Sequence, residues 1–397
     1  MALELNKLTH AVEDLGANAA QRLVELEERL PAAQAVLDAI SVADDELHRK
    51  VNAALNFRWA GAIPTDEPVN AAFPLPPHPA RLNVIAADGS QIYPDRHGVS
   101  LYYLVNVGSI VFRHGLPEAP STASQPEVFF EDADLYEEDG GQIPSVKIDA
   151  ERDLRELREL ARLAAAEATT APTVTLLDNG LLLYITLQVP DQKLIDEVIG
   201  AYLAQLDALQ RSGAASAGVV DRPRAASVIR LLRLATLALN EIGEAELRTL
   251  GPFQHITDGM LFGFLRPGER SALFVNASPA NLDRYRPRGH TIYLFYLNAG
   301  RPGKDSILRV EVPEWIAQDR ARLDLVHTAI YEQCRASDGF PYVLMRAHEL
   351  AVVTAGERRA FDQMVSGALI RRGLHAGISQ KAQGKAWTGA GKRRYPR

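Results

Sequence analysis

Two apolar runs in the sequence, "NVIAADGS" (83–90) and "TVTLLDNG" (173–180), share one design: each is strand-like and ends on an aspartate with a glycine one or two residues behind it. Between them lies "DAERDLRELRELARLAAAEA" (149–168), in which Leu154, Leu157, Leu160 and Ala161 recur at helical spacing on one side. A strand–helix–strand succession must cover an apolar sheet with an amphipathic helix, which commits the chain to an α/β fold. Ahead of the helix, "VSLYYLVNVGSIVF" (99–112) supplies one or two further strands with Gly108 near a bend, and "DQKLIDEVIGAYLAQLDALQ" (191–210) is a helix after the second run. The order strand, strand, strand, helix, strand, helix predicts a mixed sheet, partly antiparallel at one edge, flanked by helices.

The flanks read differently. Residues 1–60 are helical by their spacing of Leu23, Leu26 and Leu30, and of Val36, Leu37 and Ile40 after Pro31. Six prolines between 64 and 79 are too dense for a packed element, which sets a boundary. The expected organisation is an N-terminal helical segment (1–63), a proline-rich linker (64–80), one α/β domain (81–376) and a basic tail (377–397). Within the domain, "AGVVDRP" (217–223), "SALFVNA" (271–277), "TIYLFYLNAG" (291–300) and "ILRVEVP" (307–313) read as strands, and "SVIRLLRLATLALNEI" (227–242) as a helix. Helices across 316–334, 343–355 and 357–374 close the chain.

With 397 residues, 47% of them hydrophobic and 23% charged, the chain can bury a large core. No apolar run is long enough to cross a bilayer, and no cationic segment feeds an apolar one at the start, so the expected place is the cytoplasm, without a membrane partner. Cys334 is the only cysteine, which excludes an internal disulfide and a cysteine-based metal cluster. The net charge of −7 gives no overall attraction to nucleic acid, so such a partner would need local basic patches. The tail offers one, with Lys381, Lys385, Lys392, Arg393, Arg394 and Arg397 around Trp387 and Tyr395, although a solvated tail has the same composition.

The aspartates are the main chemical signal. An open α/β sheet gathers its chemistry outside strand ends, so neighbouring strands would bring Asp88 and Asp178 together. Two such carboxylates repel unless a proton or cation intervenes, and a hard divalent cation suits their oxygens. The competing reading is that Asp-Gly and Asp-Asn-Gly each begin a turn. Glu156 and Glu159 sit three apart on the long helix, either as further acids or as members of a solvated ion-pair surface with Arg152 and Arg155. His348, in "PYVLMRAHELAVV", is either packed into a core or presented to a site. No serine–histidine–aspartate spacing emerges, and "GAGK" (389–392) lacks the flanks of a phosphate-binding loop.

Taken together, "VIAADGS", the helix with Glu156 and Glu159, "VTLLDNGLL", "ITDGMLFGFLRPGERSALF" (256–274) and "GFPYVLMRAHELAVVTAGER" (339–358) resemble, in composition and order, the NurA nuclease family. The resemblance implies an RNase H-like fold and a metal-dependent DNA nuclease with exonuclease and some endonuclease action, using Mn²⁺ or Mg²⁺ as two ions. It further implies a homodimer that works with a HerA-type hexameric ATPase in double-strand-break end resection. In the family's roles, Asp88 would be the bridging metal ligand, Asp178 and Glu159 or Glu156 would complete the metal shell, and His348 would be a ligand or proton donor. Asp258 would be a supporting acid and Arg270 a phosphate contact; Lys381 and Lys385 are candidate phosphate contacts from the charge of the tail. A second reading is a catalytically weak subunit of the same family that binds DNA or the ATPase. Two departures stand out: Asn179-Gly180 follows the second acid where the family usually has Gly-Ser, and "EATTAPT" lengthens the connection from the helix to Asp178.

Overall fold

The computed structural model describes residues 4–374 apart from 99, 138 and 184–190. Short one-turn helices aside, the elements in chain order are α1 (Thr9–Ala39), α2 (Asp45–Leu55), β1 (Ala62–Pro64), β2 (Ala72–Phe73), β3 (Leu82–Ile92), β4 (Tyr103–His114), β5 (Ser121–Phe129), α3 (Ser145–Glu167), β6 (Thr173–Asp178) and α4 (Gln192–Ser212). They continue with β7 (Ala215–Val220), α5 (Ser227–Thr236), β8 (Arg270–Ser271), β9 (Phe274–Asn276), β10 (Ile292–Asn298), β11 (Ile307–Pro313), α6 (Arg320–Arg335), α7 (Tyr342–Ala351) and α8 (Ala355–Arg371). The mixed sheet flanked by helices, with helix at the N-terminus, is thus the fold class the sequence implied.

Two compact units divide the chain, and they cut across the boundaries drawn from composition. The first takes the residues up to Ala80 together with Asp178–Leu182 and Ala215–Tyr342; the second takes Arg81–Leu177, Leu183–Ala214 and the described residues from Val343. In the first unit the strands run β1–β9–β10–β11–β7, all antiparallel, with β2 paired to β8 and β8 to β10. Leu37 of α1 and Val51 of α2 join Leu232, Phe262, Phe274 and Tyr296 in its core. The proline-rich stretch is therefore not a spacer. Pro64 ends β1 and Val69 is buried, so the segment alternates short paired strands with bends that prolines tolerate.

In the second unit β5–β4–β3 form an antiparallel ladder and β6 adds parallel to β3. Helix α3 covers it with the predicted stripe: Leu154, Leu157, Leu160 and Ala161 are all buried. Burying a leucine side chain stabilises by about 1.5–3 kcal/mol, so this stripe is the main tie between α3 and the sheet. Two readings need correction. Of the one or two strands expected over 99–112 there is one, β4, unbroken from Tyr103 to His114, so Gly108 marks no bend; the glycine serves a close contact described below. Strand β5 went unforeseen because "STASQPEVF" is polar, mostly exposed and contains Pro126, which is what an edge strand permits.

Candidate active site

In the second unit the chemistry gathers on β3 and β4. The Asp88 side chain is 14% exposed; its Oδ1 accepts the Gly89 backbone N–H at 2.9 Å, and its Oδ2 lies 2.7 Å from His348 Nδ1. A carboxylate can only accept, so Nδ1 carries the hydrogen, and Nε2 becomes the basic nitrogen of the neutral ring. The ring is 62% exposed, so that nitrogen is open to a substrate. His348 is thus the presented histidine of the two sequence readings, not a core-packed one.

Helix α7 is held at this height by backbone contacts. Asn106 Nδ2 donates to the carbonyls of Leu350 and Ala351 at 3.2 and 2.8 Å, and Ser90 Oγ donates to Ala351 at 2.5 Å, so the carbonyls that end the helix find partners on β3 and β4. Gly108, paired across from Asp88, makes the approach possible. A Cβ there would stand 2.4 Å from Ala351 N and 2.6 Å from the Ala347 carbonyl oxygen. Sequence reading missed Asn106 and the contacts that Ser90 and Gly108 make with α7; a polar residue two places before a glycine in an otherwise apolar strand was the available signal.

The two helix glutamates reach the opposite face of the ladder. Successive strand residues point to opposite sides, and Gly89 turns toward α3 where Asp88 turns toward α7. A Cβ on Gly89 would lie 2.5 Å from Glu156 Oε1 and 2.5 Å from Arg152 Cγ, so only glycine lets this carboxylate come against the backbone that follows Asp88. Glu156 is 5% exposed and also pairs with Arg152 Nε at 3.2 Å. Glu159, one turn further along, is engaged elsewhere. It accepts from Ser109 Oγ at 2.9 Å and from Arg162 Nε and Nη2 at 2.7 and 2.8 Å. Burial works against its ionisation, but hydrogen bonds from Arg162, Ser109 and Gln125 outweigh that and hold its carboxyl below the usual range. It floors a cleft of about 230 Å³ that Arg155, Arg158 and Arg162 also line.

The last pair of the β3–β6 register is Ala87 with Leu177, and the next residue of each strand is an aspartate, Asp88 and Asp178. Asp178 opens the short segment that belongs to the first unit, where Asn179 takes a left-handed conformation (φ 100°) and donates its N–H to the Val219 carbonyl at 3.0 Å. Asn179 thus forms a β-bridge to Val219, and the chain bends at Leu181–Leu182. Carboxylate oxygens of this kind suit a hard divalent cation, and the missing side chain of Gly89 lets Glu156 come against the backbone next to Asp88. Among the described residues no three His, Cys, Asp or Glu side chains are grouped as a metal site.

Two sequence candidates belong to the core of the first unit instead. Asp258 is fully buried: its carboxylate accepts the N–H groups of Ser227 and Ile229 at 2.7 and 2.9 Å and the Tyr296 hydroxyl at 2.6 Å, so it caps α5. Arg270 is also fully buried, in a two-pronged bond to Glu67 at 2.7 and 2.9 Å with its guanidinium over the Phe73 ring. Neither is a supporting acid or a phosphate contact; "PGERS" places its arginine in a strand that the proline-rich segment covers. Lys381 and Lys385 lie outside the described residues. Among the described residues no helix is long and apolar enough to cross a membrane.

Comparison with known proteins ties this geometry to a family. No curated protein matches the chain. Among solved structures it is similar to the NurA nuclease from Sulfolobus solfataricus at 12% identity, over 89% of this chain and 98% of that one, with a TM-score of 0.47. A structure of NurA with manganese follows at 11% identity, 90% and 98% coverage and a TM-score of 0.41, and the catalytic domain of human Endonuclease V at 13%, 85%, 96% and 0.29. The NurA domain pattern matches residues 82–353, a span that holds β3, β4, α3, β6 and α7 with Asp88, Glu156, Glu159, Asp178 and His348. With well over half of its residues in that match, the chain belongs to the NurA family.

Proposed function

We propose that the protein is a divalent-cation-dependent deoxyribonuclease, cutting DNA from ends with some internal cleavage. We place it in double-strand-break end resection as a homodimer with a HerA-type hexameric ATPase. Family membership supports a nuclease, and the observation that carries the chemistry is the Asp88–His348 pair, a carboxylate orienting an exposed imidazole at 2.7 Å. Asp88 and Asp178 are the residues proposed to hold Mn²⁺ or Mg²⁺, with Glu159 or Glu156 as the helix acid; Glu159 is engaged by Arg162 and Ser109 and Glu156 by Arg152, so a cation would have to displace one of these partners. A bound cation would polarise a phosphoryl oxygen and make a water molecule acidic enough to attack.

The chain's own residues then handle the protons. With Nδ1 bonded to Asp88, His348 presents Nε2 to the phosphodiester. Protonated, it can give that proton to the leaving sugar oxygen, and Asp88 stabilises the charged ring beforehand. The test is cleavage of single- and double-stranded DNA with Mn²⁺, with Mg²⁺ and with EDTA, by the wild type and by Asp88→Ala. Cation-dependent cleavage that the substitution abolishes is the expected result. Cleavage in EDTA, or an unimpaired variant, overturns the assignment, and DNA binding without cleavage even beside the ATPase leaves the weak-subunit reading in its place.

A further inference from the structure

The first unit contains a buried ion pair for which neither the fold nor the family match provides a reason. Strand β11 is apolar except for Arg309 and Glu311, two residues apart and therefore on one face. They are 5% and 1% exposed, and the Arg309 Nε and Nη2 atoms lie 2.9 and 2.5 Å from Glu311 Oε1. Breaking such a pair is costly, but a well-packed apolar pair in its place is often no less stable, so stability alone does not account for it. The second oxygen of Glu311 suggests another role. Oε2 accepts the Leu181 backbone N–H at 2.8 Å, and a Cβ built on Gly180 would lie 2.5 Å from it. Gly180 and Leu181 form the turn that leaves Asp178.

We infer that Glu311 is a positioning residue: its carboxylate, clamped by Arg309, fixes the Asn179–Gly180–Leu181 turn and thereby the direction in which Asp178 presents its carboxylate. Three constraints converge on that turn. Asn179 is tied to Val219 at 3.0 Å, Leu181 is tied to Glu311, and Gly180 is the residue whose missing side chain lets the Glu311 carboxylate in. Arg309 is itself fixed from behind, since Nη1 reaches Ser227 Oγ at 3.2 Å, and Ser227 N–H is bonded to Asp258 at 2.7 Å. The chain of contacts runs from Asp258 through Ser227 and Arg309 to Glu311. The Asn-Gly that departs from the family's usual Gly-Ser is thus accommodated, with asparagine at the left-handed position and glycine beneath the glutamate.

This inference rests on the proposed role of Asp178 as a cation ligand, and the experiment separates the two. Mn²⁺ binding to the full-length protein is followed by the electron paramagnetic resonance of free Mn²⁺ for the wild type, Asp178→Asn, Glu311→Gln and Gly180→Ala. Arg270→Met serves as a core variant destabilised elsewhere. Glu311→Gln and Gly180→Ala are expected to weaken binding about ten- to a hundred-fold, the usual effect of losing an outer-shell contact. Half-maximal cleavage should move to correspondingly higher Mn²⁺, with most activity recovered at saturation. Arg270→Met should melt earlier with its Mn²⁺ dependence unmoved. If Asp178→Asn binds less Mn²⁺ while Gly180→Ala and any folded Glu311→Gln bind as the wild type does, the positioning role is overturned. If Asp178→Asn itself binds as the wild type does, the ligand assignment of Asp178 fails and the inference with it.

Discussion

Gly108→Ala is the substitution whose consequence can be worked most directly from the structure. Its new methyl would meet Ala351 N at 2.4 Å, the Ala347 carbonyl oxygen at 2.6 Å and the Leu350 carbonyl carbon at 2.7 Å, all of them backbone atoms that no rotamer change can move aside. An ordinary contact needs roughly 3.5 Å, so α7 must withdraw by about 1 Å. That opens the His348–Asp88 hydrogen bond from its 2.7 Å to well beyond the range in which such a bond persists. The overpacking should cost about 1–3 kcal/mol of stability, and displacing a catalytic group by about 1 Å costs on the order of 10²-fold in rate. The assay pairs kcat for DNA cleavage at saturating Mn²⁺ with a chemical unfolding curve. Gly200→Ala in α4, where nothing lies within 4 Å of the new methyl, is the control and should be neutral or stabilised by up to about 1 kcal/mol. Full activity and full stability in Gly108→Ala would refute the close-approach argument. A 10²-fold loss matched by no loss in His348→Ala would refute the claim that the helix acts through its histidine.

Three further outcomes follow from the same geometry. Glu156→Gln should lower cleavage about 10²-fold. Glu159→Gln should stay within about tenfold of wild type while losing about 1–3 kcal/mol of stability with its charged hydrogen bonds, so the reverse ranking in a cleavage assay would reassign the acid. Arg270→Met should leave DNA affinity unchanged by fluorescence anisotropy yet destabilise by about 1–3 kcal/mol, because it removes the two-pronged partner of Glu67 and leaves Arg320 at 3.5 Å; weakened DNA binding in the folded variant would restore Arg270 as a phosphate contact. His327, fully buried with Nε2 donating to the Gly268 carbonyl at 2.8 Å, is pushed by burial down to about 4 from 6.5. The unfolded chain therefore takes up the proton first, so stability should hold above about pH 6.5 and fall by about 3 kcal/mol in all as pH drops to about 4. In urea unfolding across that interval His327→Gln should lose this slope, and an unchanged slope would exclude the histidine as its source.

The α/β class was settled by the sequence itself, because short continuous apolar runs and a period-3.6 leucine stripe can satisfy their burial only as sheet and covering helix; Leu154, Leu157 and Leu160 are buried as that pattern requires. Asp88 and His348 stood out as a charged and a basic group in apolar surroundings, but the sequence left a turn open for the one and a core position for the other, and only the folded chain sets His348 Nδ1 2.7 Å from Asp88 Oδ2. Tertiary structure decided what local spacing leaves open. Periodicity says which side of α3 Glu156 and Glu159 occupy, but not how far along the helix meets the ladder. That height puts Glu156 beside Gly89 and Glu159 beside Ser109. Gly108 reads as a bend until the backbone of α7 is seen to need the space. Arg270 and Asp258 carry the residue types of a site, yet Glu67, Tyr296 and the N-terminus of α5 bury them. A charge is drawn to whichever opposite charge or helix end the folded chain brings to it, and those partners lie tens to hundreds of residues away, beyond the reach of any sequence period.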